Sequence, residues 1–278
     1  MSGCYAQTEL GHGSNVAGLE TTATLDRKTD EWVLHSPTVS STKFWPGGMG
    51  RWANHAIVFA RCLVGENDYG VMPFMVQIRS LEDHTPCKGV QVGDLGTKFG
   101  YNSKDNGWLI LNKVRIPRED MLSKFVYIDK EGEMEMRGNP KAIYATMVGI
   151  RTIIVYGAGH ALRRALIIGI RYAVCRRQFA SISGSKIERK LLDYQSHMFK
   201  LGPLLADSYV MMTVAKKIWR MQSEMDEEIK RGKFKTLDIL HHMTSGLKSL
   251  YSMMAYEGID CVRANCGGAG YSNHSLLP

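Results

Sequence analysis

Asp129-Lys130-Glu131-Gly132-Glu133-Met134-Glu135-Met136-Arg137-Gly138-Asn139-Pro140 is the stretch at which this chain changes its period. It is polar, holds two glycines and ends on a proline, whose fixed φ and missing N–H suit the first turn of a helix. Upstream, apolar residues alternate in short runs between turn formers; downstream they recur at three-to-four spacing over long stretches. This places a β-rich domain at 1–128, a connector at 129–140 and a helical domain at 141–278. The fold class is α+β: an antiparallel β-barrel or sheet followed by an α-helical bundle.

Moving upstream, residues 21–25 and 31–34 flank the polar run 26–30, which predicts a hairpin. His55–Val64, 73–78 and 108–116 read as further strands, and 101–107 as a polar turn. Moving downstream, the spacing predicts helices over 141–174, 188–230 with a kink at Gly202-Pro203, and 236–265. Leu201, Leu204, Leu205 and Tyr209 are expected on one buried face of the second.

The 278 residues are 44% hydrophobic and 22% charged, which excludes wholesale disorder and collagen-like or low-complexity chains. A net charge of +8 favours an anionic partner: nucleic acid, a membrane surface or a phosphate-bearing small molecule. Cys4, Cys62, Cys87, Cys175, Cys261 and Cys266 form no Cys-x-x-Cys, so they read as free thiols of a reducing compartment. No secretory signal is visible at Met1-Ser2-Gly3-Cys4. Arg151, His160, Arg163, Arg164 and Arg171 break the most apolar stretch, 142–174, so no membrane span is expected.

The familiar catalytic signatures are missing. Gly11-His12-Gly13 starts like a dinucleotide fingerprint, but Val16 stands at its sixth position and no strand leads into it. There is no Gly-x-x-x-x-Gly-Lys-Ser/Thr, His-Glu-x-x-His or Gly-x-Ser-x-Gly. His241 and His242 are adjacent and diverge by about 100° on a helix, so they read as an exposed polar pair and no metal ligand is nominated. Three segments remain: Gln7-Thr8-Glu9-Leu10-Gly11-His12-Gly13-Ser14-Asn15, Trp45-Pro46-Gly47-Gly48-Met49-Gly50 and Cys266-Gly267-Gly268-Ala269-Gly270-Tyr271. Each alone reads as a tight turn or helix cap. Together, glycines that let backbone N–H groups approach a ligand and hydroxyls that add donors suit a flavin ring or a pyrophosphate.

The segment Tyr5-Ala6-Gln7-Thr8-Glu9-Leu10-Gly11-His12-Gly13-Ser14-Asn15 resembles the flavin loop of peroxisomal acyl-CoA oxidases. So do, in order, Leu19-Glu20-Thr21-Thr22-Ala23-Thr24, Ser36-Pro37-Thr38, Trp45-Pro46-Gly47-Gly48, Gly93-Asp94 with Lys98-Phe99-Gly100-Tyr101, Asp105-Asn106-Gly107, Arg115-Ile116-Pro117-Arg118, Arg176-Arg177-Gln178 and Cys266-Gly267-Gly268. The related acyl-CoA dehydrogenases typically carry a Pro-Gly-Ala-Gly-like loop in place of Leu10-Gly11-His12-Gly13 and lack Trp-Pro-Gly-Gly.

The resemblance implies the middle and C-terminal domains of the acyl-CoA dehydrogenase-like architecture, the latter of the C-alpha1 type and truncated. It implies bound FAD, with Thr8 and Gly47 at flavin-contacting positions, and Arg177, Gln178, Gly267 and Gly268 toward the adenine and pyrophosphate part. It further implies α,β-dehydrogenation of fatty acyl-CoA to trans-2-enoyl-CoA, with dioxygen reduced to hydrogen peroxide, in peroxisomal fatty acid β-oxidation by a homodimer. Ser275-Leu276-Leu277-Pro278 is not a Ser-Lys-Leu-type address, so the peroxisome rests on resemblance. In such oxidases the catalytic glutamate sits in a Thr-Phe-Glu-Gly-like segment downstream of the Cys-Gly-Gly-x-Gly-Tyr loop, and the chain reaches Pro278 before one. Glu9, Glu20 and Glu257 lack its context, and no catalytic residue is nominated. The expectation is a fragment short at both ends. The competing reading is a non-catalytic FAD or acyl-CoA-binding module; a nucleic-acid binder would rest on charge alone and is not expected.

Overall fold

The computed structural model describes residues 1–139, 141–180 and 186–277. The chain divides into two compact units, Met1–Asn139 and Pro140–Pro278. The first holds β1 (Gly3–Ala6), β2 (Thr22–Asp26), β3 (Glu31–His35), β4 (Lys43–Gly47), β5 (His55–Val64), β6 (Asn67–Gln77), β7 (Val90–Asp94), β8 (Asn106–Leu111), β9 (Val114–Pro117), β10 (Val126–Ile128) and β11 (Met134–Met136). They form a six-stranded sheet in the order β1-β5-β2-β3-β9 with β6 also on β5, a three-stranded sheet β4-β8-β7, and a β10-β11 hairpin.

The α+β class holds, and β2 and β3 form the expected hairpin, Asp26 opposite Glu31. The large sheet is mixed, however, where an antiparallel one was expected. β1 and β2 both run parallel to β5, β1 pairing with His55, Ala56, Ile57 and Val58 and β2 with Arg61, Cys62 and Leu63. The 7–21 loop is therefore an excursion between two strands that share one edge of β5. Run 108–116 is two strands, because Lys113 turns the backbone left-handed at φ 53° and the chain passes from the small sheet to the large one. β6 starts earlier than expected and keeps Pro73 inside it, opposite Phe59; among the described residues β5 is the one named strand it pairs with, and its other side carries the isolated bridge of Phe74 to Met121, so it lies at the sheet edge, where a missing N–H is tolerated. Part of the expected connector is structured: Met134, Glu135 and Met136 pair with β10. Inside, Trp32 and Phe74 are fully buried and meet edge-on with centroids 5.2 Å apart. Burying a ring of this kind contributes about 1.5–3 kcal/mol.

The second unit holds α1 (Lys141–Cys175), the short strands β12 (Arg177–Ala180) and β13 (Glu188–Lys190), α2 (Gln195–Lys230), α3 (Lys235–Asn265) and α4 (Gly268–Tyr271). The second helix starts later than its periodicity predicts. Glu188 and Lys190 pair with Ala180 and Arg177, a tertiary partnership that local spacing does not register. Pro203 lies inside α2. The buried face of α2 is also shifted: Leu201 is buried, Leu204 packs against the core, but Leu205 and Tyr209 are exposed. The core-facing positions run Leu201, Leu204, Ser208, Met211, Ala215 and Ile218 in alternating steps of three and four, with Met225 seven further on and Met212 buried beside Met211, and Leu205 and Tyr209 miss these positions by one residue. Helices α1 and α3 approach closely, since a Cβ on Gly169 would lie 2.4 Å from Val262 Cγ1 and one on Gly258 2.6 Å from Leu162 Cδ1.

Among the described residues, Ala145–Cys175 is long and apolar enough to cross a membrane, despite the arginines that argued against a span. Its apolar residues have another use here: Val155, Leu162, Ala165, Leu166 and Ala173 are buried in one core with Leu201, Met211, Tyr251, Ala255 and Val262 of α2 and α3. All six cysteines are free.

Candidate functional site

The 7–15 loop is tied down by a buried ion pair. Glu9 is 2% exposed and Lys43, the first residue of β4, is fully buried. Lys43 Nζ lies 3.0 Å from Glu9 Oε1 and donates also to the carbonyls of Gln7 at 3.1 Å and Phe59 at 2.6 Å. Phe59 sits between the β5 residues that pair with β1 and those that pair with β2, so Lys43 fills the gap that the loop opens in the sheet. Glu9 accepts from the backbone N–H of Glu20 at 2.8 Å and of Thr21 at 2.9 Å, and from the Thr21 hydroxyl at 2.6 Å. His12 Nδ1 stands 3.2 Å from Glu9 Oε2.

Burial pushes the Glu9 carboxyl up, but Lys43 and the donors of Glu20 and Thr21 outweigh it and hold the group below its ordinary value of 4.5. Burial pushes the Lys43 ammonium down to about 8, against the pull of Glu9. The two act on stability in opposite pH ranges. The depressed carboxyl contributes stability that is complete above pH 4.5 and is lost as pH falls through its folded value. For Lys43 the unfolded chain binds more protons between about 8 and 10.5, so its contribution rises with pH there. Urea midpoints taken across the acid range should fall less steeply in Glu9→Gln than in the unsubstituted chain.

A second segment, 45–50, is assembled from pieces far apart in sequence. Gly47 pairs with Asn106 across an irregular β4-β8 ladder. Trp45 adopts φ 82°, and Asn106 Nδ2 donates to its carbonyl at 2.6 Å. A positive φ is unfavourable for an aromatic residue and doubly so before a proline, so this backbone is held by its surroundings. Gly48, at φ 85°, donates its N–H to the Asp105 carbonyl at 3.0 Å, and the Asp105 carboxylate accepts from Arg51 N at 2.9 Å and Trp52 N at 3.1 Å. Glycines let the backbones touch: a Cβ on Gly107 would lie 2.5 Å from Gly50 N. One on Gly50 would lie 2.9 Å from Asp94 Oδ2.

The structure therefore brings Trp45-Pro46-Gly47-Gly48, Asp94 and Asp105-Asn106-Gly107 into one corner of the small sheet. It also brings Thr8 alongside, since Phe44 N donates to Thr8 O at 3.0 Å. Thr8 is half-buried, and its hydroxyl makes no hydrogen bond among the described residues. Sequence reasoning missed Lys43, which is a lone lysine heading a strand; its only signal was a charge where the alternation calls for an inward residue.

The other four nominated residues lie in the second unit. Arg177 is exposed and donates to Glu188 O at 2.9 Å. Gln178 Oε1 accepts from Arg176 at 3.2 Å, and its carbonyl accepts from the Tyr194 hydroxyl at 2.6 Å. Gly267 leaves α3 at φ 58°, and Gly268, exposed, opens α4. Among the described residues no hydrogen bond joins Arg177 or Gln178 of β12 to Gly267 or Gly268. Nor, among those residues, does any group of His, Cys, Asp or Glu side chains gather as a metal site needs.

Comparison with known proteins matches residues 4–114 to the acyl-CoA dehydrogenase middle domain and residues 144–278 to the acyl-CoA oxidase C-alpha1 domain. Peroxisomal acyl-coenzyme A oxidase 1 of Arabidopsis thaliana is 48% identical over 280 residues, and that of Homo sapiens 44% identical over 276. Each match covers 99% of this chain and 42% of the relative, so the chain spans well under half their length. Among solved structures, Arabidopsis thaliana acyl-CoA oxidase 1 superposes with a TM-score of 0.95 at 47% identity, over 99% of this chain and 42% of that one. Acyl-CoA oxidase-2 of Caenorhabditis elegans, bound with FAD, ascaroside-CoA and ATP, superposes at 0.94 with 40% identity, over 99% and 42%.

Proposed function

Because this chain belongs to the acyl-CoA oxidase family, we propose that it carries the flavin-contacting part of an acyl-CoA oxidase acting in peroxisomal fatty acid β-oxidation. The substrate is a fatty acyl-CoA, the product a trans-2-enoyl-CoA, and dioxygen leaves as hydrogen peroxide; the working form is a homodimer. FAD, when bound, supplies a hydride acceptor that dioxygen can reoxidise.

The observation that carries this reading is the meeting of the 7–15 loop and the 45–50 segment at β4, with the Thr8 hydroxyl left unpartnered and the Gly48 Cβ position open. The residues fit a flavin: a free hydroxyl donor and the bare Gly48 backbone can approach the ring where negative charge develops. We assign Thr8 and Gly47 to the ring, and Arg177, Gln178, Gly267 and Gly268 to the adenine and pyrophosphate part, where a guanidinium fork suits phosphate oxygens. No carboxylate of the chain is given the proton-abstracting role. A base beside a thioester needs a free oxygen and a raised proton affinity. Both Glu9 oxygens are taken, and the hydroxyls of Thr38 and Ser40 hold Glu20 below its ordinary value.

The test is to purify the chain, read flavin absorbance, and assay peroxide with palmitoyl-CoA. Bound flavin is expected, and a chain that takes up none overturns the reading. Peroxide release would assign turnover to the chain itself; flavin without peroxide would restrict it to FAD and acyl-CoA binding. Thr8→Val should weaken FAD binding about five- to tenfold, the worth of one hydrogen bond, with little change in the urea midpoint.

A further inference from the structure

We propose that Lys104 is the charge-supplying residue of this flavin site: its ammonium favours the negative charge that the cofactor takes on when reduced. The inference rests on the flavin reading of Gly47.

Lys104 precedes β8, yet the end of its side chain lies against Gly47, the last residue of β4. A Cβ on Gly47 would be 2.5 Å from Lys104 Cε and 3.4 Å from Nζ, so the missing side chain of Gly47 is what admits the lysine. The root of that side chain is held, with Lys104 N donating to Tyr101 O at 3.0 Å and its carbonyl accepting from Asn106 N at 3.0 Å and Lys98 Nζ at 3.1 Å. The ammonium has no hydrogen bond or ion pair among the described residues. The acids that could have neutralised it are engaged elsewhere. Asp94 stands 3.4 Å from Arg51 Nε and accepts from Gly96 N, while Asp105 caps Arg51 and Trp52. Lys98 spends its own charge on the carbonyls of Gly96 and Lys104.

An uncompensated cation beside Gly47, the glycine assigned to the ring, acts on that cofactor's charge states, since a fixed charge near a flavin ring tunes its electronics. The simpler account is a solvated lysine whose stem merely covers backbone. The two differ in what happens when the stem stays and the charge goes.

The experiment measures the midpoint potential of flavin bound to the full chain, for the unsubstituted protein, Lys104→Met and Lys104→Arg. Lys104→Met should still bind FAD but lose about tenfold in the preference for reduced over oxidised cofactor, a fall of about 30 mV for a two-electron couple. Lys104→Arg should match the unsubstituted chain, and the gap should narrow as salt is raised. Flavin bound to Lys104→Met at an unchanged potential overturns the inference and leaves the assignment of Gly47 standing. An unsubstituted chain that takes up no flavin overturns both.

Discussion

Lys43→Met should lower the stability of the first unit by about 3–5 kcal/mol, the cost of removing one member of a buried ion pair. Methionine keeps most of the stem volume, so the loss is not a cavity effect. It leaves the Glu9 carboxyl buried without its cation, and it strips the carbonyls of Gln7 and Phe59 of the donor that reaches them at 3.1 and 2.6 Å. Glu9→Gln should cost less, because an amide oxygen can still accept from Glu20 or Thr21. In the double variant the two losses should fall short of additive, since removing both charges abolishes the unpaired one. Urea titration checks all three, through midpoint shifts at constant slope. A loss under about 1 kcal/mol for Lys43→Met would show that water reaches the pair. The same variant should weaken flavin uptake, because Lys43 joins the loop that carries Thr8 to β4.

Gly107→Ala is expected to be the second most damaging change. The added methyl would lie 2.5 Å from Gly50 N and 2.8 Å from Met49 C, both backbone atoms with no rotamer to give way. Gly107 is itself paired with Asp94 in the β7-β8 ladder, so β8 is not free to retreat. Relief must come from the 47–50 backbone, at a cost of about 1–3 kcal/mol for overpacking. That movement pulls Gly48 off Asp105 and, on the proposed flavin role of this segment, should abolish flavin uptake. Gly47→Ala makes the contrast. Its methyl meets only the flexible end of Lys104, so the fold should be nearly unaffected. A Gly107→Ala protein with unchanged midpoint and unchanged flavin uptake would show that the contact with Gly50 does not position the loop.

Both predictions rest on features that sequence reading reached unevenly. The Asp26 to Glu31 hairpin and the full extent of β5 were legible, because turn residues and alternation are local signals. The parallel pairing of β1 and β2 with one edge of β5 was not, since alternation says which face a residue takes and not which neighbour a strand finds. The break at Lys113 was hidden inside an apolar run, because a single left-handed residue leaves no trace in periodicity. In α2 the period was readable but its phase was not: Leu205 and Tyr209 fit a 3.6-residue stripe from Leu201, whereas the bundle selected the heptad one.

By itself the sequence determined the two kinds of structure and their order, the helical and strand periods, and the segments that resemble acyl-CoA oxidases. The kinds of structure and their periods follow from residue type and spacing along the chain, which is where propensity and turn chemistry act; the family segments are a resemblance of motifs. Tertiary structure alone decided that Lys43 serves Glu9, that Asp105 and Gly107 build the 45–50 segment, and that Lys104 stands over Gly47. Each joins residues distant in sequence or on opposite sides of a turn. Such contacts are selected by the pairing of β4 with β8 and by burial, which satisfy charges and carbonyls in space rather than along the chain.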